Sequence, residues 1–174
     1  MSVTTKARAA RLALAAATAL ALMPAAHATT LKKEMLVDAA AQSQAIVIAE
    51  ALESHSERID GQIYTLTTFK VSETVQGSAG QTVTVATPGG RDTSRKYPVS
   101  EVVAGSPRFI VGQKQCLMLQ GNGVGGAMQV VGFNQGLFDV EGSGEELRIV
   151  LPDGALTVDE FRAAIAKRRT DVSQ

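Results

Sequence analysis

Tryptophan is absent from this chain, cysteine and histidine are represented by one and two residues, and aromatic side chains make up 4% of its 174 residues. The single Cys116 rules out an intramolecular disulfide, so stability has to come from packing. Set among Leu117, Met118 and Leu119 with no histidine beside it, that thiol reads as a small buried hydrophobe and not as a nucleophile. His27 lies in the N-terminal leader described below, which leaves His55, in "ESHSERID", as the one histidine of the body. With Glu53, Glu57 and Asp60 it has no second histidine or cysteine at ligand spacing, so no metal site is expected. Ser54, Ser56 and Asp60 are too close along the chain to align with His55 as nucleophile, base and orienter, and "SHSERIDG" reads as a solvated turn. A G-x-S-x-G elbow is missing as well, and Glu145 and Glu146 are adjacent beside a turn glycine, a poor geometry for an acid and base pair.

Long hydrophobic runs are also lacking. The apolar stretch from Leu12 to Met23 ends at Pro24, short of the roughly 20 residues that cross a bilayer. It follows Lys6, Arg8 and Arg11 and precedes Ala26-His27-Ala28, the layout of a secretory signal peptide with cleavage after Ala28. No adjacent arginine pair precedes the run and no cysteine follows the cleavage site, which argues against twin-arginine export and lipid attachment. The expected domains are therefore a signal peptide, 1–28, and one domain, 29–174, starting at Thr29 and located in the periplasm or outside the cell. The leader removes three cations and no acid from a chain balanced at 17 and 17, so the mature protein is net negative and no nucleic-acid partner is expected.

What remains alternates between β-like segments bracketed by two helices. "LTVDEFRAAIAKRR" offers Thr157 as N-cap and Glu160 three residues on, a capping box, with Leu156 and Phe161 as its hydrophobic staple. Val158, Phe161 and Ile165 fall on one stripe, and Lys167, Arg168 and Arg169 close the helix with cations. Leu31 to Ser43 gives a second helix through Leu31, Met35, Leu36, Ala39 and Ala40. Between them "QAIVIAEALE", "QIYTLTTFKVSETV", "QTVTVAT", "KQCLMLQ", "AMQVVGF", "GLFDVE" and "LRIVL" read as strands. So many short strands in an exported domain predict a mainly β (α+β) fold, a small OB-like β-barrel flanked by the two helices, since closure removes exposed edges. In "VVGFNQGLFDV", Asn134-Gln135-Gly136 reads as a three-residue hairpin loop with Gly136 left-handed. Phe133 would then pair with Leu137 and Gly132 with Phe138, and Met128, Val130, Phe138 and Val140 would share one face.

"GNGVGG", Gly121 to Gly126, formally fits the dinucleotide fingerprint, but the strand-like "AMQVVGF" follows it where a helix is required. It reads as a loop, and no cofactor is expected. Pro88 to Gly112 is unusually long for a connection and is locally basic, with Arg91, Arg95, Lys96 and Arg108 against Asp92 and Glu101. Tyr97 beside these cations completes a candidate partner-binding set, although a solvated loop with a packed Val102-Val103 turn explains the same residues.

The order "SQAIVIAEALES", "IYTLTTFKVSETVQG", "QTVTVATPGG", "GSPRFIVGQKQCLML", "VVGFNQGLFDV" and "LTVDEFRAAI" resembles a family of exported, uncharacterised bacterial proteins over most of the mature chain. More distantly, the helix, the strand pair and the "VQG" turn look like the netrin-like module of tissue inhibitors of metalloproteinases, which implies an OB-type five-stranded barrel. Those inhibitors chelate the protease zinc through an N-terminal cysteine, and Thr29 would stand there in this chain. The expected function is an exported, non-enzymatic binding module, monomeric and directed at a protein, with a metalloprotease as the partner the resemblance implies. The alternative is a structural or envelope-associated protein whose barrel binds carbohydrate or no specific ligand.

Overall fold

A computed structural model describes residues 36–94, 96–121 and 123–166, all within one compact unit, Glu34–Gln174. The leader, Thr29, Leu31 to Met35, Arg95, Asn122 and the cations Lys167 to Arg169 lie outside the described residues.

The first strand, β1 (Ala45–Ile59), explains the unbroken apolar run at its start. Ala45, Val47, Ala49 and Ala51 point into one buried cluster, and Ile46 and Ile48 point into a second on the opposite face. On one side β1 pairs along its whole length with β2 (Gln62–Gly77); on the other it pairs only from Ala45 to Glu50, with β6 (Lys114–Gln120). In β6, Leu117 and Leu119 join the first cluster and Cys116 and Met118 the second. Three register shifts along β1 and β2, at Ile46/Val47, Ile48/Ala49 and Ala51/Glu53, coil the long hairpin as β-bulges do. Next to β2 lies β3 (Thr82–Pro88), whose Val83 and Val85 face the first cluster, as their alternation predicts.

Beyond β6 come β8 (Leu137–Glu141), β9 (Arg148–Leu151) and β10 (Gly154–Thr157), while β7 (Gln129–Val130) pairs with the far end of β6. The result is an eight-stranded sheet of antiparallel ladders with the path β10-β9-β8-β6-β1-β2-β3 and β7 off it, and the sheet is not closed into a barrel. An isolated parallel bridge links Val85 to Met128, with the Ala86 amide donating to the Met128 carbonyl at 2.9 Å and the Met128 amide to that of Thr84 at 2.8 Å.

The second cluster is covered by the helices. The first, α1, is described over 36–42 and contributes Leu36, Ala39 and Ala40; α2 (Val158–Ala166) contributes Val158, Phe161 and Ile165. The capping box forms as its residues predict: the Thr157 amide donates to Glu160 Oε2 at 2.9 Å and the Glu160 amide to Thr157 Oγ1 at 3.3 Å. The Thr157 amide, and the Thr157 hydroxyl donating to the same Glu160 Oε2 at 2.9 Å, hold the Glu160 carboxyl below its ordinary range. Phe161 is fully buried with its ring 6.0 Å from that of Phe138. Arg162 ties the helix to the sheet through Glu73 at 3.1 Å and the Val75 carbonyl at 3.3 Å. No helix among the described residues is long and apolar enough to cross a membrane.

Two local readings are corrected. The turn expected through Ser54 to Gly61 is strand up to Ile59, and the chain reverses only at Asp60-Gly61, with φ of 49° and 87°. Asp-Gly suits the two-residue turn with both φ positive, and the polar residues before it are stabilised as strand because Ser54 and Thr67 share a hydrogen bond at 3.0 Å and Ser56 and Thr65 one at 3.1 Å. The second correction concerns "VVGFNQGLFDV". β7 and β8 pair with β6 and not with each other, so Phe133 does not face Leu137 and no three-residue hairpin exists. Between them, Val131 to Gly136 bulges out through a 3₁₀ turn, Phe133–Gly136, closed by the Gly136 amide donating to the Val131 carbonyl at 2.9 Å. The left-handed residues are Gly132 and Phe133, at φ 60° and 59°, and not Gly136. The excursion also splits the expected shared face: Met128 and Val130 turn to the first cluster, Phe138 and Val140 to the second.

Gly136 is glycine for lack of space. A Cβ there would stand 2.8 Å from the Val131 carbonyl oxygen and 3.0 Å from Met118 Cβ. Gly136→Val is expected to lower stability by about 1–3 kcal/mol through overpacking, read by urea unfolding, and an unchanged midpoint would reject that contact. Cys116 is fully buried, and burial, aided by the Glu73 charge, pushes its thiol up to about 12. A thiol reagent at neutral pH is therefore expected to label it only as fast as the protein opens, and immediate labelling of the native state would contradict its position.

Candidate interaction surface on the β4–β5 hairpin

The long segment from Pro88 to Gly112 is largely ordered by its contacts. It contains a separate two-stranded antiparallel sheet, β4 (Gly90–Asp92) and β5 (Val99–Glu101), in which Gly90 faces Glu101, Arg91 faces Ser100 and Asp92 faces Val99. This sheet rests on the outer half of the β1–β2 hairpin, beyond the reach of β6. The seat is a set of hydroxyls. Thr65 Oγ1 donates to the Gly89 carbonyl at 2.8 Å, and the Arg91 amide donates to Ser56 Oγ at 3.2 Å. The Gly89 amide reaches the Ile63 carbonyl at 2.8 Å. Gly90, at φ 142°, lies so close to Ser56 Oγ and Thr65 Oγ1 that no side chain fits between them.

Both acids of the segment are used as ties to this seat. Asp92, 4% exposed, accepts from Arg58 Nε at 3.2 Å, from the Ser94 amide at 3.0 Å and from Ser94 Oγ at 2.6 Å. Glu101 Oε2 accepts from the Ile63 amide at 3.4 Å. The Ser94 hydroxyl and amide, with Arg58 behind them, hold the Asp92 carboxyl below its ordinary value. The cations face the other way. Arg91, Lys96 and Arg108 are exposed, and among the described residues none of the three has an acidic partner. Lys96 Nζ lies 5.6 Å from the centroid of the Tyr97 ring, which is 75% exposed.

Of the five residues singled out from sequence, the structure thus brings Lys96 and Tyr97 together at the hairpin tip and places Arg91 on β4. Arg108 sits on the return stretch between buried Pro107 and half-buried Phe109, whose ring packs edge-on against Phe69 at 4.8 Å. Arg95 lies outside the described residues. The apolar component was missed. Val99, Val102, Ile110 and Val111 are all exposed, and Val102, at 75%, is not the packed turn expected of Val102-Val103. Leu52, also exposed, follows Ala51, whose carbonyl accepts from the Gly112 amide at 2.8 Å. The usable signal was the run "VVAGSPRFIVG", apolar residues without a strand or helix period to bury them.

The other chemistry-bearing candidates do not converge. His55 pairs across β1 and β2 with Leu66, on the face opposite Ser54 and Ser56, whose hydroxyls are engaged with Thr67 and Thr65. "GNGVGG" leads through a 3₁₀ turn, Val124–Gly126, into β7, so no helix N-terminus follows the glycines. Among the described residues no three histidine, cysteine, aspartate or glutamate side chains gather to hold a metal.

Because the Asp92 value is lowered on folding, its tie stabilises the hairpin at any pH above the ordinary carboxylate range and is lost only as pH falls through a value below 3.8. Hydrogen exchange of the paired strands Gly90–Asp92 and Val99–Glu101, corrected for intrinsic rate, is expected to stay slow from neutral pH down to about that point and then rise. Asp92→Asn should exchange faster throughout and lose that transition, and an identical profile for the variant would remove Asp92 from the anchor. Comparison with family models, with curated proteins and with solved structures gives no match to this chain, so its function has to be argued from this geometry.

Proposed function

We propose that the chain is a non-enzymatic protein-binding module acting outside the cytoplasm after loss of residues 1–28, that its sheet is a partly open OB-like barrel, and that the β4–β5 face is its binding surface. The barrel reading is supported by one buried cluster drawn from five strands: Ala45, Val47, Ala49 and Ala51 of β1, Phe69 of β2, Val83 and Val85 of β3, Leu117 and Leu119 of β6, and Val130 of β7. The Val85–Met128 bridge is parallel and joins β3 to the chain entering β7, while every ladder is antiparallel. A five-stranded, incompletely closed barrel has this character. The inhibitor-like mode implied by the netrin resemblance would run through residue 29, outside the described residues.

The binding reading is carried by one observation: in the segment from Pro88 to Gly112 the acids are bonded inward to Arg58 and Ile63, whereas Arg91, Lys96 and Arg108 together with Tyr97, Val99, Val102, Ile110 and Val111 face solvent. Exposed apolar side chains rimmed by charge of one sign are a common marker of a partner surface. The test captures proteins from an extract of the producing organism on the immobilised mature chain and measures the kinetics of the one retained. Replacing Arg91, Arg95 and Lys96 by Ser should slow association and flatten its salt dependence, and Tyr97→Ala should chiefly speed dissociation. Both variants should unfold within about 0.5 kcal/mol of the parent, since Arg91, Lys96 and Tyr97 are exposed. Unchanged kinetics in both would place the partner elsewhere on the molecule.

A further inference from the structure

Resting on that reading, we infer that the free edge of β5 takes an extended acidic polypeptide segment by strand addition. In the two-stranded sheet β4 is the inner strand: its Arg91 amide is bonded to Ser56 Oγ, and Gly90 is pressed onto Ser56 and Thr65. β5 is the outer one. Val99, Ser100 and Glu101 are all exposed, and β4 is the only strand paired with β5 among the described residues. A strand edge offers alternating amides and carbonyls that another extended chain can pair with at about 4.8 Å, something a lipid or a glycan cannot do along its length.

The neighbouring side chains set the composition of the occupant. Val99, Val102 and Tyr97 supply apolar contact beside the edge, and Arg91 and Lys96 supply charge with no acid opposing them among the described residues. Glu101, the carboxylate on β5 itself, is turned to the Ile63 amide. An added strand is therefore favoured when its apolar residues alternate with Asp or Glu. A second copy of this chain fits worse, because antiparallel self-pairing of β5 would bring Arg91 and Lys96 of both copies to one face. Pro98 limits the edge at its start, since it has no amide to offer, so the site is short and reads a few residues only.

The experiment uses the mature chain and a fluorescein-labelled peptide of alternating glutamate and valine, followed by anisotropy. Saturable binding is expected, weakened at least about tenfold when alternate peptide amides on one edge are N-methylated, because the net loss of two main-chain hydrogen bonds is of that size. Methylation on the other edge should leave it intact. Arg91→Ser with Lys96→Ser should weaken binding and reduce its salt dependence, and a lysine–valine peptide should not bind. If the acidic peptide binds and N-methylation of either edge changes nothing, strand addition is wrong while the cationic binding face survives. If the peptide does not bind and the captured partner still responds to the cation and Tyr97 variants, this occupant is wrong and the binding face again survives. If neither responds, the underlying reading fails with it. Sedimentation with phosphatidylglycerol vesicles in place of peptide binding, or a dimer in ultracentrifugation that the peptide dissociates, would give the edge to a lipid surface or to a second copy and overturn the proposal.

Discussion

The two-sided burial of the first half of β1 is the constraint on which the molecule depends. Residues 45–51 touch both clusters, so neither the inner core around Phe69 and Val85 nor the outer core beneath the helices forms unless this stretch is in register with β2 and β6 at once. A one-residue slip would exchange the side chains between two cores of different shape. Three register shifts in the β1–β2 ladder reconcile the two demands, since each lets the pair coil while keeping Ile46 and Ile48 outward and Val47 and Ala49 inward.

Where β6 stops, the same hairpin changes character. From Ser54 onward the inner face of β1 carries hydroxyls matched by Thr67 and Thr65 of β2, and that polar half carries the β4–β5 sheet. One strand therefore serves as core at one end and as bracket at the other. The bracket holds by hydrogen bonds and one ion pair with little apolar burial, which makes the hairpin a less stable unit than the sheet beneath it. Local opening of such a unit leaves the packed clusters intact.

The elements legible in the sequence were those whose reasons are local. "QTVTVAT" alternates because one face is buried, and Thr157 with Glu160 caps a helix whose stripe is set by Phe161 and Ile165. "ESHSER" was misread because serines and charges in a run look like a turn, whereas the strand is sustained by partners across the hairpin on β2 and the reversal belongs to Asp60-Gly61 alone. Gly136 was correctly suspected of a structural role for the wrong reason: its constraint is the close approach of the Val131 carbonyl and of Met118, a residue of β6 that nothing beside Gly136 in the sequence announces. At the candidate surface the cations and Tyr97 were visible as residue types. The inward turn of Asp92 and Glu101 was not, because it depends on where Arg58 and Ile63 arrive after the β1–β2 reversal.

The excursion between β7 and β8 has a consequence for how this fold can change. Its two ends are fixed on neighbouring positions of β6, Val130 opposite Leu119 and Leu137 opposite Leu117, with the Val131 amide bonded to the Met118 carbonyl between them. Residues added at exposed Asn134 or Gln135 would lengthen a loop whose anchor points stay where they are, at an entropic cost that rises only with the logarithm of its length. The edge of β6 can thus carry inserted sequence, from a short epitope to a small domain, while both cores keep their register.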